Sequence, residues 1–305
     1  MAEVKNRSEI LFIYDVTDAN PNGDFDENRP RIDEATGINI VTDVRLKRTI
    51  RDYLLRFKNQ EIFVREEYDE GGKLKTREKI FEEAGSPEKV IEKYVDIRLF
   101  GGTFALRGEE KRAFAITGPV QFKFGRSLHK VGEPVFIRGT TVLPSAEKKE
   151  AGTLWEGYIL YYSLICFYGI INENAAKKTK LTEEDVELLL DGIWNGTKNL
   201  ITRSKVGQMP RLLLQVIYKE KNYHIGELDK RIKLICDKKE EEIRNIKEVK
   251  LDVSELSAIL NKNKDKIEKI RYKIDDYLTL LKDGKEIKIF QLLEGINYEE
   301  IIFKE

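Results

Sequence analysis

Apolar residues gather at a few places along the chain, and the period of each run predicts an element. Glu9 to Thr17 (EILFIYDVT) is rich in Ile, Phe, Tyr and Val, ends in a turn cluster, and predicts a buried strand. Asp18 to Pro30, dense in Asn, Asp, Gly and Pro, is a loop. Leu46, Ile50, Leu54 and Phe57 recur every three or four residues, so they share one face of a helix capped by Thr42 or Asp43. Lys111 to Phe124 holds two strand pieces around Gly118-Pro119, and Leu154 to Ile171 is a strand of aromatic and aliphatic residues. Thr182 opens a second helix, with Glu183, Glu184 and Asp185 in its first turn and an end near Gly196. Arg211 to Tyr218 (RLLLQVIY) is a further strand.

The resulting order, β-α-β-β-α-β, predicts an α+β protein with a ferredoxin-like or RNA-recognition-motif-like core and large insertions. One insertion is the acidic, Gly-containing stretch 59–96, followed by a tight turn at Phe100-Gly101-Gly102-Thr103-Phe104. Another is the turn-rich stretch 134–154, a protruding hairpin or a disordered loop. From about Gly226 charged blocks such as Lys238 to Glu242 predict a helical C-terminal region, with one strand-like piece at Lys285 to Leu292.

At 305 residues and 41% hydrophobic, the chain has enough apolar material for a real core, which excludes global disorder and a disulfide scaffold. Cys166 and Cys236 cannot build a zinc site alone and fit a reducing compartment. Residues 1–9 hold no apolar signal core, and the longest apolar run, Tyr158 to Ile171, falls short of the ~20 residues that span a bilayer. The expectation is a soluble, cytoplasmic protein without a membrane partner.

Lys plus Arg and Asp plus Glu are both 54, yet the charge is uneven. Residues 45–58 carry six cations against one Asp, 111–149 carry eight against two Glu, and 196–233 carry nine against three acids. Brought to one face, these stretches would bind a polyanion. On the predicted first helix lie Arg45, Lys47, Arg48 and Arg51. Thr202 to Arg211, with Arg203, Lys205, Gly207, Gln208 and Arg211, is a basic loop entering a strand. Arg and Lys pair with phosphates, Gly admits a close backbone, and an amide reaches sugar or base. Its bland alternative is an ordinary helix-to-strand connection.

Enzyme motifs are missing. Asp18-Ala-Asn20-Pro-Asn22-Gly23 begins like a calcium loop, but Arg29 stands where the loop needs Glu and a strand precedes it. There is no GxxxxGK[ST], no helix-opening GxGxxG and no HExxH, so no cofactor is expected. His129, beside Arg126 and Lys130, reads as a surface histidine.

Asp15-Val-Thr-Asp-Ala-Asn-Pro-Asn-Gly-Asp24, Pro30-Arg-Ile-Asp33, Thr36-Gly37 and Val41-Thr-Asp-Val-Arg-Leu-Lys-Arg48 resemble the Cas-seven family of CRISPR-associated proteins. The nearest subgroup is the backbone subunit of type I-B Cascade. The likeness continues through Asp96-Ile-Arg-Leu-Phe-Gly-Gly102, Thr117-Gly-Pro-Val-Gln-Phe122, Gly125-Arg-Ser127, Gly139-Thr-Thr141 and Arg203-Ser-Lys-x-Gly-Gln-x-Pro-Arg211, covering residues 8–218.

The resemblance implies a modified RRM-like palm at 1–58, 111–135 and 158–225, inserted fingers at 59–110, a thumb hairpin at 136–157, and the helical region 226–305 packed on the palm. It implies a non-catalytic subunit whose copies line up head to tail along a crRNA and present it to a target DNA strand. Other Cascade subunits and a recruited helicase-nuclease are the further partners. The guide would be held through sugar and phosphate by Asn20, Asn22, Thr42, Arg45, Lys47, Arg48, Arg51, Arg126, Arg203, Lys205, Gln208 and Arg211. Val142 and Leu143 would be thumb wedges against bases, where apolar bulk replaces stacking. The rivals are a type III-like backbone that cuts RNA with metal, through Asp24 or Asp33, and a stand-alone RNA- or DNA-binding regulator.

Overall fold

Nine consecutive buried residues, Ser8 to Val16, make β1 (Ser8–Ala19) a strand covered on both faces in a computed structural model that describes residues 2–105, 113–144 and 152–303. A small hairpin, β2 (Ile32–Asp33) and β3 (Ile38–Val41), leads to helix α1 (Asp43–Phe57). An inserted segment follows, with α2 (Arg77–Ala84), α3 (Pro87–Lys93), α4 (Val95–Phe100), β4 (Gly101–Ala105) and β5 (Ala113–Thr117). The chain returns through β6 (Val120–Phe122), β7 (Gly125–Lys130), β8 (Val135–Pro144), β9 (Gly152–Ile171), α5 (Glu173–Thr179), α6 (Glu183–Lys198) and β10 (Met209–Tyr218).

β1 sits between β10 and β9, antiparallel to both, and β9 carries β6 and β7 on its far side. Numbered by their order in the core, these strands run 4-1-3-2, with α1 and α6 packed on one face, as the β-α-β-β-α-β order predicts. Alternation along β1 sends Ile10, Phe12, Tyr14 and Val16 to the helices, against Leu46, Ile50, Leu54, Leu189 and Ile193. Each large side chain buried fully stabilises the fold by roughly 1.5–3 kcal/mol. Gly192 lets the helices close up, since a Cβ there would lie 2.8 Å from Ile50 Cγ2. Both helix starts follow the sequence: Thr42 caps α1, and Thr182 forms a capping box with Asp185 on α6. Phe57, placed on the apolar stripe by spacing, is instead exposed at the last turn of α1, stacked on Tyr53, which takes the buried position.

The C-terminal region corrects the helical expectation. It contains β11 (Lys233–Cys236), β12 (Val249–Asp252), α7 (Ser254–Lys262), β13 (Ile267–Ile274), β14 (Leu280–Lys282), β15 (Lys285–Ile287), the one-turn α8 (Ile289–Leu292) and β16 (Tyr298–Glu300). Val249, Leu251, Ile267 and Ile270 are buried and pack with Leu11, Ile13, Leu212 and Leu214 on the other face of the sheet. Burying those apolar positions outweighs the helix propensity of the Lys and Glu between them. β13 pairs with β10, so this region extends the main sheet as well as covering it. Buried Glu9 ties the crossing down by accepting hydrogen bonds from the Tyr168 and Tyr218 hydroxyls and from the N–H groups of Ile225 and Gly226.

β4 pairs with β5, so the insertion expected to end at 110 closes at Thr117, and the tight turn expected at Phe100 to Phe104 is a strand entered through Gly101 at φ 72°. The insertion has its own small core of Phe63, Ile80, Phe81, Val90, Tyr94 and Ile97. The stretch expected to be a hairpin or loop is a hairpin: β8 pairs with β9 from Val135↔Ile159 to Pro144↔Gly152. Val142 and Leu143 lie on β8, and their side chains are outside the described residues. No helix among the described residues is long and apolar enough to cross a membrane.

His129 is 2% exposed rather than a surface residue, because β7 turns it inward against Tyr162. Its Nε2 accepts the Leu164 N–H at 3.2 Å and its Nδ1 donates to the Lys130 carbonyl at 2.8 Å, so the ring is held neutral. Burial lowers its pKa, against the pull of that carbonyl and of Glu240. A histidine depressed in the folded state contributes stability above the unfolded value of ~6.5 that is lost as pH falls below it. Thermal melts from about pH 7.5 to about 5.5 should therefore show a larger loss for wild type than for His129→Gln.

Candidate nucleic-acid interface

Three segments meet where β1 leaves the sheet. Asn22 Oδ1 accepts the Thr42 N–H at 2.8 Å and the Thr42 hydroxyl at 2.9 Å, and Thr42 Oγ1 accepts the Arg45 N–H at 3.3 Å. Asn22 and Thr42 therefore staple the loop after β1 to the start of α1. Asn20 is fully buried; its N–H donates to the Ser204 carbonyl at 2.8 Å and its Nδ2 to the Asn28 carbonyl at 2.6 Å. That brings the 202–208 loop to the same junction.

The predicted cations divide by partner. Arg51 pairs with fully buried Asp96 at 2.8 Å and lies over the Phe100 ring, while Asp96 also accepts the Phe63 N–H at 2.7 Å. Arg211, 7% exposed, grips Asp15 at 3.0 and 3.1 Å and also pairs with Asp275. These two were expected on the RNA; in the structure each is paired with a protein carboxylate. A guanidinium at a buried position demands a carboxylate, and each has one. Burial pushes the Asp15 carboxyl up, against the pull of Arg211. Lys47 is held by Asp43 at 2.9 Å and Gln121 at 3.1 Å, and Arg48 by Asp52 at 2.8 Å.

Arg45 and Lys205 are different. Neither makes an ion pair among the described residues; Arg45 donates to Thr49 Oγ1 at 3.1 Å and Lys205 approaches Ser204 Oγ at 3.4 Å. Burial lowers both pKa values, and the positive charge of Arg45 lowers that of Lys205 further. Asp52 attracts Arg45 but is committed to Arg48. Two half-buried like charges without a counterion favour an anion between them. Arg45 Nε, Asn20 Oδ1 and Gln208 Nε2 at this junction are buried with no hydrogen-bond partner among the described residues.

Arg126 is more open, 56% exposed with Asp33 at 3.8 Å, and Arg203 is exposed on its loop. From Thr42 a groove of about 1050 Å³ runs past Arg29, Arg31, Phe124 and Arg126 to Pro134, with Asp24, Asp26, Glu27, Glu34 and Glu133 also on its walls. Arg29 lies 5.7 Å from the Tyr158 ring, which contacts Phe136, itself covered by Arg138. Sequence reasoning missed these cations and rings, although Arg29-Pro30-Arg31 and the Phe136-x-Arg138 alternation were in view. Asp24 accepts the N–H groups of Glu27 and Arg29 at 3.0 and 3.1 Å; desolvation opposes ionisation, and these donors outweigh it and lower its pKa. Asp33 accepts the Ala35 N–H at 3.1 Å. Among the described residues no three His, Cys, Asp or Glu gather as a metal site.

An RRM-like sheet beside two half-buried cations that make no ion pair among the described residues is an architecture of the single-strand nucleic-acid-binding class. A family model for "CRISPR-associated protein Cas7" matches residues 6–254, and the chain belongs to that family. It is 35% identical over 306 residues to the CRISPR-associated protein Cas7 of Haloferax volcanii, covering 90% of this chain and 88% of that one. Among solved structures, a chain of a "CRISPR RNA-guided surveillance complex" matches with TM-score 0.53 and 14% identity, covering 88% of this chain and 89% of that chain. A chain of a "CRISPR RNA-guided surveillance complex, pre-nicking" matches with TM-score 0.53 and 11% identity, over 96% of both. The two structural likenesses carry the fold.

Proposed function

We propose that this chain is a non-catalytic backbone subunit of a Cascade-type CRISPR surveillance complex. Copies line up along a crRNA, hold it by sugar and phosphate, and leave its bases free to pair with a target DNA strand. The observation that supports this reading is Arg45 and Lys205, two cations without an ion pair among the described residues, where the loop after β1, α1 and the 202–208 loop meet. A seat for phosphates is blind to sequence, as holding any guide requires. In this reading 59–117 forms the fingers, the β8–β9 hairpin is the thumb, and Val142 and Leu143 are its wedges. Cutting belongs to a recruited helicase-nuclease. Asp24 and Asp33 are occupied by backbone N–H groups, which gives the RNA-cutting alternative no support.

Sedimentation with guides of increasing length tests this. The mass of the complex should grow with RNA length, for every spacer sequence alike. If Arg45, Lys205, Arg126 and Arg203 neutralise about four phosphates, log affinity per copy should fall against log salt with a slope of about −3. A small oligomer of fixed size, or a slope near zero, would refute the reading.

A further inference from the structure

The loop after β1 ends in Asp24-Phe25-Asp26-Glu27, and Phe25 is 97% exposed. The loop is not slack. Asp24 N–H donates to the Arg29 carbonyl at 2.8 Å, and Asp24 Oδ1 accepts the Glu27 and Arg29 N–H groups. A phenyl ring is thus held out in water on a hydrogen-bonded turn, so little conformational freedom is lost when it docks. Three carboxylates flank it. They disfavour a phosphate at the ring itself, which suits the phenyl group to an apolar protein surface.

A matching cleft lies on the helical layer between α1 and α6. It measures about 200 Å³ and is lined by Thr49, Tyr53, Phe57, Gly196, Leu200 and Ile201. Phe57 and Ile201 are 57% and 73% exposed, apolar side chains with nothing over them. An apolar cavity of ~150 Å³ takes a benzene ring, so the space suits a phenyl group. Arg56 also lines the cleft and makes no ion pair among the described residues, whereas Asp52 is held by Arg48. The acidic knob and the cleft thus match in size, apolarity and charge. Phe25 is too exposed to fill the cleft of its own chain.

We propose that Phe25 of one copy seats in the α1–α6 cleft of the next. Knob and cleft are different surfaces, so the contact is heterologous and each added copy leaves a free knob or cleft for another. This rests on the backbone reading and names the contact by which copies would follow one another along the guide.

Phe25→Asp should bind a short RNA that holds one copy within twofold of wild type, yet need at least tenfold more protein to assemble on a long guide. The melting temperature should not move, since the ring touches nothing. In a second arm, Phe25→Cys protein mixed with Ile201→Cys protein should form a disulfide-linked dimer on the long guide, above the level either variant gives alone. Running the mixture also at high concentration without RNA tests the contact independently of the RNA grip. Assembly of Phe25→Asp at wild-type concentrations, or a mixture that cross-links no more than its components, would overturn the contact. A mixture of the two cysteine variants that cross-links without RNA, while wild-type protein binds no guide, would overturn the backbone reading alone.

Discussion

Lys205→Glu is expected to leave the fold in place and to remove most of the affinity for guide RNA. Lys205 has no carboxylate partner among the described residues, and the like charge of Arg45 acts on it. A glutamate there gives Arg45 a counterion, so the folded state gains an attraction where it had a repulsion. The same exchange closes the anion seat twice, by deleting one cation and engaging the other. A charge-assisted hydrogen bond contributes ~1.5–3 kcal/mol, so silencing two lowers single-copy affinity by ~10²–10⁴-fold. The salt slope should shrink by about 1.4. Fluorescence anisotropy with several unrelated spacers, beside a thermal melt, reads both effects. Wild-type affinity in a folded Lys205→Glu protein would place the phosphates elsewhere.

Arg211→Ala should act in the opposite way, through stability. Its guanidinium is the chief partner of Asp15, whose side chain is 4% exposed, and among the described residues the other hydrogen bond to that carboxylate comes from the Tyr162 hydroxyl at 3.2 Å. Removing one member of a buried ion pair typically costs ~3–5 kcal/mol, because the other is left charged without a partner. At ~2–4 °C per kcal/mol, the melting temperature should drop by roughly 10 °C. The double variant Asp15→Leu with Arg211→Met removes both charges and should regain most of the loss, and guide affinity with it. A double variant that folds but does not bind would return Arg211 to the RNA.

These two arginine and lysine positions show what the sequence could and could not reveal. Types and approximate places were legible: a basic first helix, a basic loop, caps at Thr42 and Thr182, and strands dense enough in β-branched and aromatic residues to order the core correctly. Whether a cation is free was not, because the deciding acids are remote. Asp96 lies 45 residues from Arg51, and Asp15 lies 196 from Arg211. The C-terminal region misled for a related reason. β12 and β13 bury Val249, Leu251, Ile267 and Ile270 and carry Lys250, Glu268 and Lys269 between them, so composition reads as helix while the core reads as sheet.

The placement of β13 against β10 has a bearing on solubility. A strand left at the rim of a sheet offers unpaired N–H and C=O groups to any other strand, a hazard that grows with crowding. In the proposed backbone role, copies gathered on one RNA would crowd one another. Here the rim is handed outward to the three residues of β16, where Glu299 sits between Lys269 and Arg271, and at the opposite rim to the two residues of β2. Short, charged borders leave little for a neighbouring sheet to template on, so neighbours are free to meet only through faces shaped for the purpose.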